Sequence, residues 1–451
     1  MLETQLSALS DGALPGVGEA LGLISGFDDT LVDGLARLSE EQTAALVALA
    51  GGLGSTPIGP RAAEAAEKIA AGSISEEHLA ALAGARTTLF GAVHDALLAR
   101  LDSALGRTRA AWEGAQSAST DPLTAACRSW LVELAIIGWR GVDHDLASTA
   151  DQAIQNLLAE PGLRRPAILL DGLAAELRAS LGAMERLPAR RWADLWARAL
   201  LLTQTGGLEA TERVSGRLLP LGVDIHEHGT AVQVQLHAIL EPHGRLVRTS
   251  VCAAKVDTIT GPFVWRLLSS YPVLLGALGK RLSLEITDMP LLAGGDLLWQ
   301  EGKASAGAST DPFATARVQL SRASAPAVPP LERHPVRIAE PVFIEGYQSD
   351  GRALRLDGTS LAFDLDRLPQ SGPLTPQLLK ASTACIGLMR WDGGWRLQPL
   401  AVRANVKKEP VAVHNSDWAQ GPTDPSVLKS GAKVGDPVAV LKERAGRLLR
   451  R

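Results

Sequence analysis

Cysteine and the aromatic residues are scarce in this chain of 451 residues. The three cysteines, Cys127, Cys252 and Cys385, lie far apart and form no CxxC pair, which argues against a zinc finger and against a disulfide framework. Aromatic residues account for 4% of the chain, although ten of them are tryptophan. Lysine is also rare, whereas Ala, Leu, Gly and Arg dominate. This bias is typical of a GC-rich bacterial genome.

A long apolar run and a secretion signal are missing as well. No stretch reaches the ~18 consecutive apolar residues that a membrane span requires. Residues 1–12 include neither the basic residues nor the apolar segment of a signal peptide. We therefore expect a soluble cytoplasmic protein.

The common catalytic motifs do not occur. The chain has no Gly-x-Ser-x-Gly and no His-Glu-x-x-His sequence. The stretch from Gly276 to Lys280 approaches a phosphate-binding loop, but two residues separate its glycines where that loop has four. Polar residues are spread along the chain instead of clustering. These features favour a protein without enzymatic activity.

Length and composition indicate a globular protein of two or three domains, because 46% of the residues are hydrophobic and 21% are charged. The net charge of −4 does not suggest bulk binding of nucleic acid. Charge is uneven, however. Residues 1–60 carry eight acidic residues and one basic residue, whereas residues 403–451 carry ten basic and five acidic residues. The two ends could contact each other or separate partners.

The fold class predicted from hydrophobic patterning is multidomain α+β. Residues 1–205 repeat apolar side chains at helical spacing, and Ser39 with Gln42 forms a capping-box pattern, so we predict an all-α helical domain. Residues 206–322 predict an α+β domain. It would contain a strand at 221–228 followed by a hairpin at 230–256, which together make an antiparallel meander.

The later elements are predicted from turn residues and alternation. A helix from Pro262 to about Leu278 is split by Pro272, and Ala314–Leu320 alternates like a strand. The Pro-rich segment 323–330 has the composition of a linker. Residues 331–414 predict a small β-barrel or sandwich, with a strand at Val336–Ile338 and a hairpin at Trp391–Trp395.

The C-terminal tail, residues 415–451, ends in a predicted amphipathic basic helix. Its apolar stripe comprises Val438, Leu441, Ala445, Leu448 and Leu449. Such a helix could pack on its own chain, dock on a partner protein, or bind an anionic surface or nucleic acid. Its basic residues are Lys442, Arg444, Arg447, Arg450 and Arg451.

Four polar residues near the middle of the chain form the one candidate site. Asp224, His226 and His228 alternate along a predicted strand, so their side chains share one face at a spacing that a metal ion could bridge. His237 could join them from the neighbouring strand. The same pattern also fits the polar, solvent-facing side of a half-buried sheet. We expect no cofactor; a divalent transition metal is what these four residues would hold.

The leading functional expectation is a non-enzymatic scaffold or adaptor subunit of a bacterial multiprotein complex, with other protein subunits as its partners. The first alternative is a metal-dependent hydrolase centred on Asp224, His226 and His228. The second is a nucleic-acid-associated accessory protein that uses the basic C-terminal helix.

Overall fold

A computed structural model shows that helices form the first part of the chain and that sheets dominate the rest. The fold is therefore mixed α+β and multidomain, as predicted. The structure describes residues 1–10, 12, 14–113, 122–160, 163–181, 187–204, 210–228, 230–256, 258–406, 409–422, 438, 439 and 443.

Some helices of the first part begin at a residue whose side chain caps the backbone, and the cap at Ser39 is the predicted one. The Ser39 side chain accepts a hydrogen bond from the backbone N–H of Gln42, and the Gln42 side chain accepts one from the N–H of Ser39, which confirms the capping box. Asp143 caps a later helix by accepting from the N–H of Leu146. The helices are α1 (Glu3–Ser10), α2 (Val17–Asp33), α3 (Glu40–Gly51), α4 (Gly59–Ala70), α5 (Glu76–Leu105), α6 (Ala125–Ile137), α7 (His144–Ser148), α8 (Asp151–Ala159), α9 (Arg164–Ser180) and α10 (Ala189–Leu202).

Helix α5 belongs to two hydrophobic cores. Leu82 and Leu89, in its first half, pack with apolar side chains of the other helices, including Trp196 of α10. Leu97 and Leu101, in its second half, pack instead with apolar side chains of the second of two sheets, which lies within residues 340–414. The helix is 30 residues long, which is about 45 Å at 1.5 Å per residue, so it reaches both cores. It therefore ties the helical region to that sheet.

The first sheet contains the predicted meander. Strands β1, β2 and β3 pair in antiparallel order. β1 also pairs with β4, and β5 pairs with both β3 and β4, so the order β1–β2–β3–β5–β4 closes on itself. β6 pairs with β4. The strands are β1 (Ala210–Glu227), β2 (Ala231–Glu241), β3 (Arg245–Ala254), β4 (Leu282–Leu292), β5 (Asp296–Leu297) and β6 (Ala304–Ser309).

Short helices accompany this sheet, and one of them corrects a prediction. The apolar segment after β3 divides into α11 (Val264–Leu267) and α12 (Pro272–Lys280), so Pro272 splits the helix as predicted. The strand predicted at Ala314–Leu320 is wrong, because these residues belong to α13 (Pro312–Gln319) and its C-terminal cap. Asp311 caps this helix and a proline occupies its first position, and both features start a helix irrespective of the alternation that follows.

The second sheet has the strand order β7–β11–β12–β10–β9–β8, and β13 also pairs with β12. Trp391 and Trp395 face each other in the β11–β12 hairpin, as predicted. The strand predicted at Val336–Ile338 is wrong, because Pro335–Arg337 forms a 3-10 turn that is capped by His334. The elements are β7 (Glu340–Glu345), β8 (Gln348–Ser349), β9 (Ala353–Leu356), β10 (Thr359–Phe363), α14 (Pro376–Lys380), β11 (Ser382–Trp391), β12 (Trp395–Val406) and β13 (Glu409–His414).

Residues 323–330, the segment with the composition of a linker, are packed into the molecule. Ala325 and Ala327 are buried. The backbone N–H of Ala325 donates to the carbonyl of Thr108 at 2.9 Å, and the carbonyl of Ala325 accepts from the N–H of Ala110 at 3.0 Å. Packing and backbone hydrogen bonds therefore hold this segment against the residues that follow α5.

The chain returns to the first sheet after β13. Trp418 and Ala419 pack in the core of that sheet, and so does Val438 from the apolar stripe of the C-terminal tail. Val438, Ala439 and Glu443 are helical. The basic residues of the predicted C-terminal helix, Lys442, Arg444, Arg447, Arg450 and Arg451, lie outside the described residues.

Candidate functional site

The candidate residues of the sequence lie on β1 and β2 of the first sheet or directly after β1, where β1 approaches the second sheet. Asp224 and His226 are on β1, and His228 follows directly after the strand. His237 lies on β2, opposite Gly222 of β1. The structure therefore brings Asp224 and His226 onto one face, as the alternation predicts.

Asp224 is buried and makes three polar contacts. Its Oδ2 lies 2.6 Å from Nη2 of Arg390 and 2.8 Å from Nε2 of His226. Its Oδ1 accepts a hydrogen bond from Nε2 of Gln398 at 2.7 Å. Arg390 and Gln398 belong to β11 and β12, so the carboxylate connects the two sheets. Since Asp224 is 1% exposed, water does not compete for these contacts.

The surroundings keep Asp224 ionised. Burial by itself raises the pKa of this carboxyl, but the hydrogen bond with His226 and the charge of Arg390 outweigh burial and hold the pKa well below its usual range. Arg390 also donates from Nε to Gln398 at 2.8 Å. A charge-assisted and fully paired network of this kind is rigid, because each buried polar atom depends on its partner.

His237 is buried beside this network and does not join it through a hydrogen bond. Its Nε2 is a buried atom with no hydrogen-bond partner among the described residues. Burial lowers the pKa of His237 to about 3, despite the opposite influence of Asp224. The imidazole is therefore neutral at physiological pH. Arg248 lies opposite His237 on β3.

His226 and His228 line an open cleft. His226 is 33% exposed, and His228 is exposed. Together with Asp224 and Glu227 they form one wall, and the segment 366–370 forms the other, around a volume of about 470 Å³. Glu227 accepts a hydrogen bond from the hydroxyl of Ser371 at 2.7 Å, which fixes one end of the cleft.

The four candidate residues do not form a coordination shell. Among the residues that the structure describes, no group of three or more His, Cys, Asp or Glu side chains is arranged to hold a metal ion. Both Asp224 oxygens are engaged by side-chain donors, and one of these donors is the cation Arg390. A metal ligated by Asp224 would have to displace these donors and would leave the guanidinium buried without its counterion.

Arg390, Gln398 and the segment 366–370 complete this region and were missed by the sequence analysis. Arg390 carries a signal in retrospect, because it is a charged residue within an apolar strand, and a buried cation requires a counterion. No local pattern links residues 366–370 to β1. Their proximity depends on how the two sheets pack.

The cysteines offer no reactive thiol in the interior. Cys127 and Cys385 are buried, and burial raises the pKa of the Cys127 thiol to about 11 and that of Cys385 further still. Cys252 is exposed, and partial burial raises its pKa as well. All three shifts disfavour the nucleophilic thiolate.

No helix of the described residues has the length and apolar character that crossing a membrane requires. Neither a protein-family model, nor a curated protein sequence, nor a solved structure matches this chain.

Proposed function

We propose that this chain is a non-enzymatic scaffold or adaptor subunit of a multiprotein complex in the bacterial cytoplasm. The proposal rests on the contacts of Asp224, whose carboxylate lies at the centre of the candidate site. Its oxygens are engaged by Arg390 and Gln398 of the other sheet, so it fastens the two sheets together. Neither oxygen of Asp224 is therefore free to contact a substrate.

Other interior carboxylates are used in the same way. Arg86 of α5 holds Asp28 of α2 through two contacts of 2.6 and 3.0 Å. Arg107, which follows α5, contacts Glu340 of β7 at 3.0 Å. Ion pairs of this kind fix the relative positions of the parts that they join. A rigid protein with fixed surfaces can hold its partner proteins at fixed relative positions.

Purification from the native host tests the proposal. The chain should elute with other subunits in a fixed stoichiometry, and the complex should re-form from separately purified components, as measured by light scattering during size-exclusion chromatography. A chain that elutes alone at all concentrations and turns over a hydrolysable substrate would contradict the proposal.

A metal-dependent hydrolase centred on Asp224, His226 and His228 is the second candidate. The contact that favours it is the 2.8 Å distance between His226 Nε2 and Asp224 Oδ2. A carboxylate in this position orients an imidazole whose other nitrogen binds a metal. In this arrangement Asp224 supports the ligand His226, and His228 and Glu227 lie in the same cleft.

Elemental analysis distinguishes the two candidates. The adaptor should carry no stoichiometric transition metal after purification. The hydrolase should carry about one Zn, Mn or Fe ion per chain, and the double substitution His226→Ala/His228→Ala should remove it. The matched control replaces two exposed histidines outside the cleft, His144→Ala/His243→Ala. Metal lost equally from both double variants would indicate nonspecific binding to surface histidines.

A further inference from the structure

Arg198 of α10 is a buried cation that makes only one long ion pair among the described residues. Its residue exposure is 6%. The nearest carboxylate oxygen, Oδ2 of Asp194, is 3.6 Å from its Nη1, which is too long for a hydrogen bond. Its Nε is buried and has no partner among the described residues. A guanidinium group has five N–H donors, and burying it unpaired is costly.

Two further arginines lie near Arg198. Arg165, at the start of α9, contacts one carboxylate oxygen of Glu332, and Arg337, in the 3-10 turn before β7, contacts the other. Burial is the main cause that lowers the pKa of Arg198 to about 10, and the positive charge of Arg337 contributes to the same shift. We call Arg165, Arg198 and Arg337 the arginine cluster.

The arginine cluster has more positive than negative charge. Its three cations face two carboxylates, Glu332 and Asp194. Asp194 also lies near two other basic side chains. Its Oδ1 is 3.6 Å from Nη1 of Arg86 and 3.7 Å from Nε2 of His334. Burial lowers the pKa of His334 to about 4, so this histidine adds no charge at neutral pH.

Solvent reaches Arg165 and Arg337, the two outer members of the arginine cluster, whereas Arg198 lies beneath the surface. The side chains of Arg165, Arg337 and Glu332 are 28%, 35% and 22% exposed. A small anion can therefore approach without unfolding the surrounding helices. The Glu332 carboxylate, held between two guanidinium groups, already occupies the position that a planar or tetrahedral oxyanion takes in such a cluster.

We propose that the arginine cluster binds a phosphate group, either free inorganic phosphate or the phosphoryl group of a small molecule such as a nucleotide. Guanidinium groups bind phosphate oxygens in pairs, and Nε–H of Arg198 is a donor that no group of the described residues uses. The phosphate balances the excess positive charge and competes with Glu332 for Arg165 and Arg337. It links α9 and α10 to the turn that leads into the second sheet.

The test measures thermal unfolding of the full chain in potassium phosphate and in potassium chloride of equal ionic strength. At about 10 mM phosphate, the melting temperature should rise by at least about 2 °C over the chloride sample, and the rise should saturate. ATP provides the second arm. A larger effect of ATP at lower concentration identifies a nucleotide as the ligand, and an effect of phosphate alone identifies the free ion.

Three variants and one control make the test specific. Arg198→Gln and Arg337→Gln should abolish the phosphate effect, and Arg337→Gln keeps the test valid if the buried Arg198 variant fails to fold. Glu332→Gln should tighten phosphate binding about tenfold, because it removes the competing charge. Arg333→Gln, which changes the neighbour of Glu332 that is paired with Asp95, should leave binding unchanged. An equal response of Arg337→Gln and wild type, or no response to phosphate or ATP, would overturn the proposal.

Discussion

Asp224 and Arg390 form a buried ion pair that joins the two sheets, with 2.6 Å between Asp224 Oδ2 and Arg390 Nη2. The two residues are 166 positions apart in the sequence. Both are almost completely buried, so neither charge can be solvated if the other is removed. The residue that sequence alternation marks as a metal ligand therefore has a structural partner.

Replacement of Asp224 by Asn should be strongly destabilising, because it leaves the Arg390 guanidinium buried without a counterion. We expect the free energy of unfolding to fall by about 3–5 kcal/mol, measured by urea denaturation. The control is Arg317→Gln, which breaks a pair with Glu345 whose side chains are 50% and 45% exposed. That pair should contribute less than about 1 kcal/mol. If the two variants lost the same free energy of unfolding, the buried Asp224–Arg390 pair would contribute no more than the exposed pair, contrary to this prediction.

Stability should decrease as the pH falls below neutral. Burial lowers the pKa of His237 to about 3 and that of His414 to about 4, from 6.5 in each case. The unfolded chain then binds more protons than the folded chain in this interval, so acid favours unfolding. We expect His237→Gln to reduce the slope of the free energy of unfolding against pH by up to about 1.4 kcal/mol per pH unit. The free energy is measured by urea denaturation at several pH values between 4 and 6.5. The control replaces the exposed His243 with Gln. If His237→Gln has the same slope as this control, the buried His237 is not a source of the pH dependence.

The Pro-rich segment 323–330 should be protected from solvent despite its linker-like composition. Ala325 pairs with Thr108 and Ala110 through backbone hydrogen bonds, and the N–H of Ser324 donates to the carbonyl of Gly244 at 2.9 Å. In hydrogen–deuterium exchange, a peptide that covers Ser324 and Ala325 should exchange slowly, because these amides open only with the surrounding structure. Exchange as fast as in an unstructured peptide would show that the segment is a true linker.

Gly138 should be intolerant of any side chain. Its backbone has φ 81° and ψ 159°, a conformation that side chains disfavour, and an added Cβ would lie 2.2 Å from the backbone N of Gly34. Gly138→Ala should cost at least about 3 kcal/mol. The control is Gly106→Ala, where φ is 63° and nothing lies within 4 Å of the added Cβ. It should cost about 1 kcal/mol, and equal melting temperatures for the two variants would contradict the predicted clash.

Local chemistry determined much of the secondary structure. The Ser39 capping box, the split at Pro272 and the Trp391–Trp395 hairpin all form as the sequence predicts. Each depends on a few neighbouring residues, since caps, prolines and turn glycines act through the backbone beside them. The strand predicted at Ala314–Leu320 was wrong because Asp311 and Pro312 supply a stronger local signal, a helix start, than the alternation does.

The sequence by itself also determined that Asp224 and His226 share a face, because side chains on a strand alternate with period 2. Only the tertiary structure decided what Asp224 contacts. Arg390 and Gln398 reach it through the packing of one sheet on another, and no local pattern encodes this contact. The same holds for the arginine cluster, whose members come from α9, α10 and a turn before β7. Contacts between residues far apart in sequence depend on the packing of complete elements, whereas helices, caps and turns depend on interactions within a few residues.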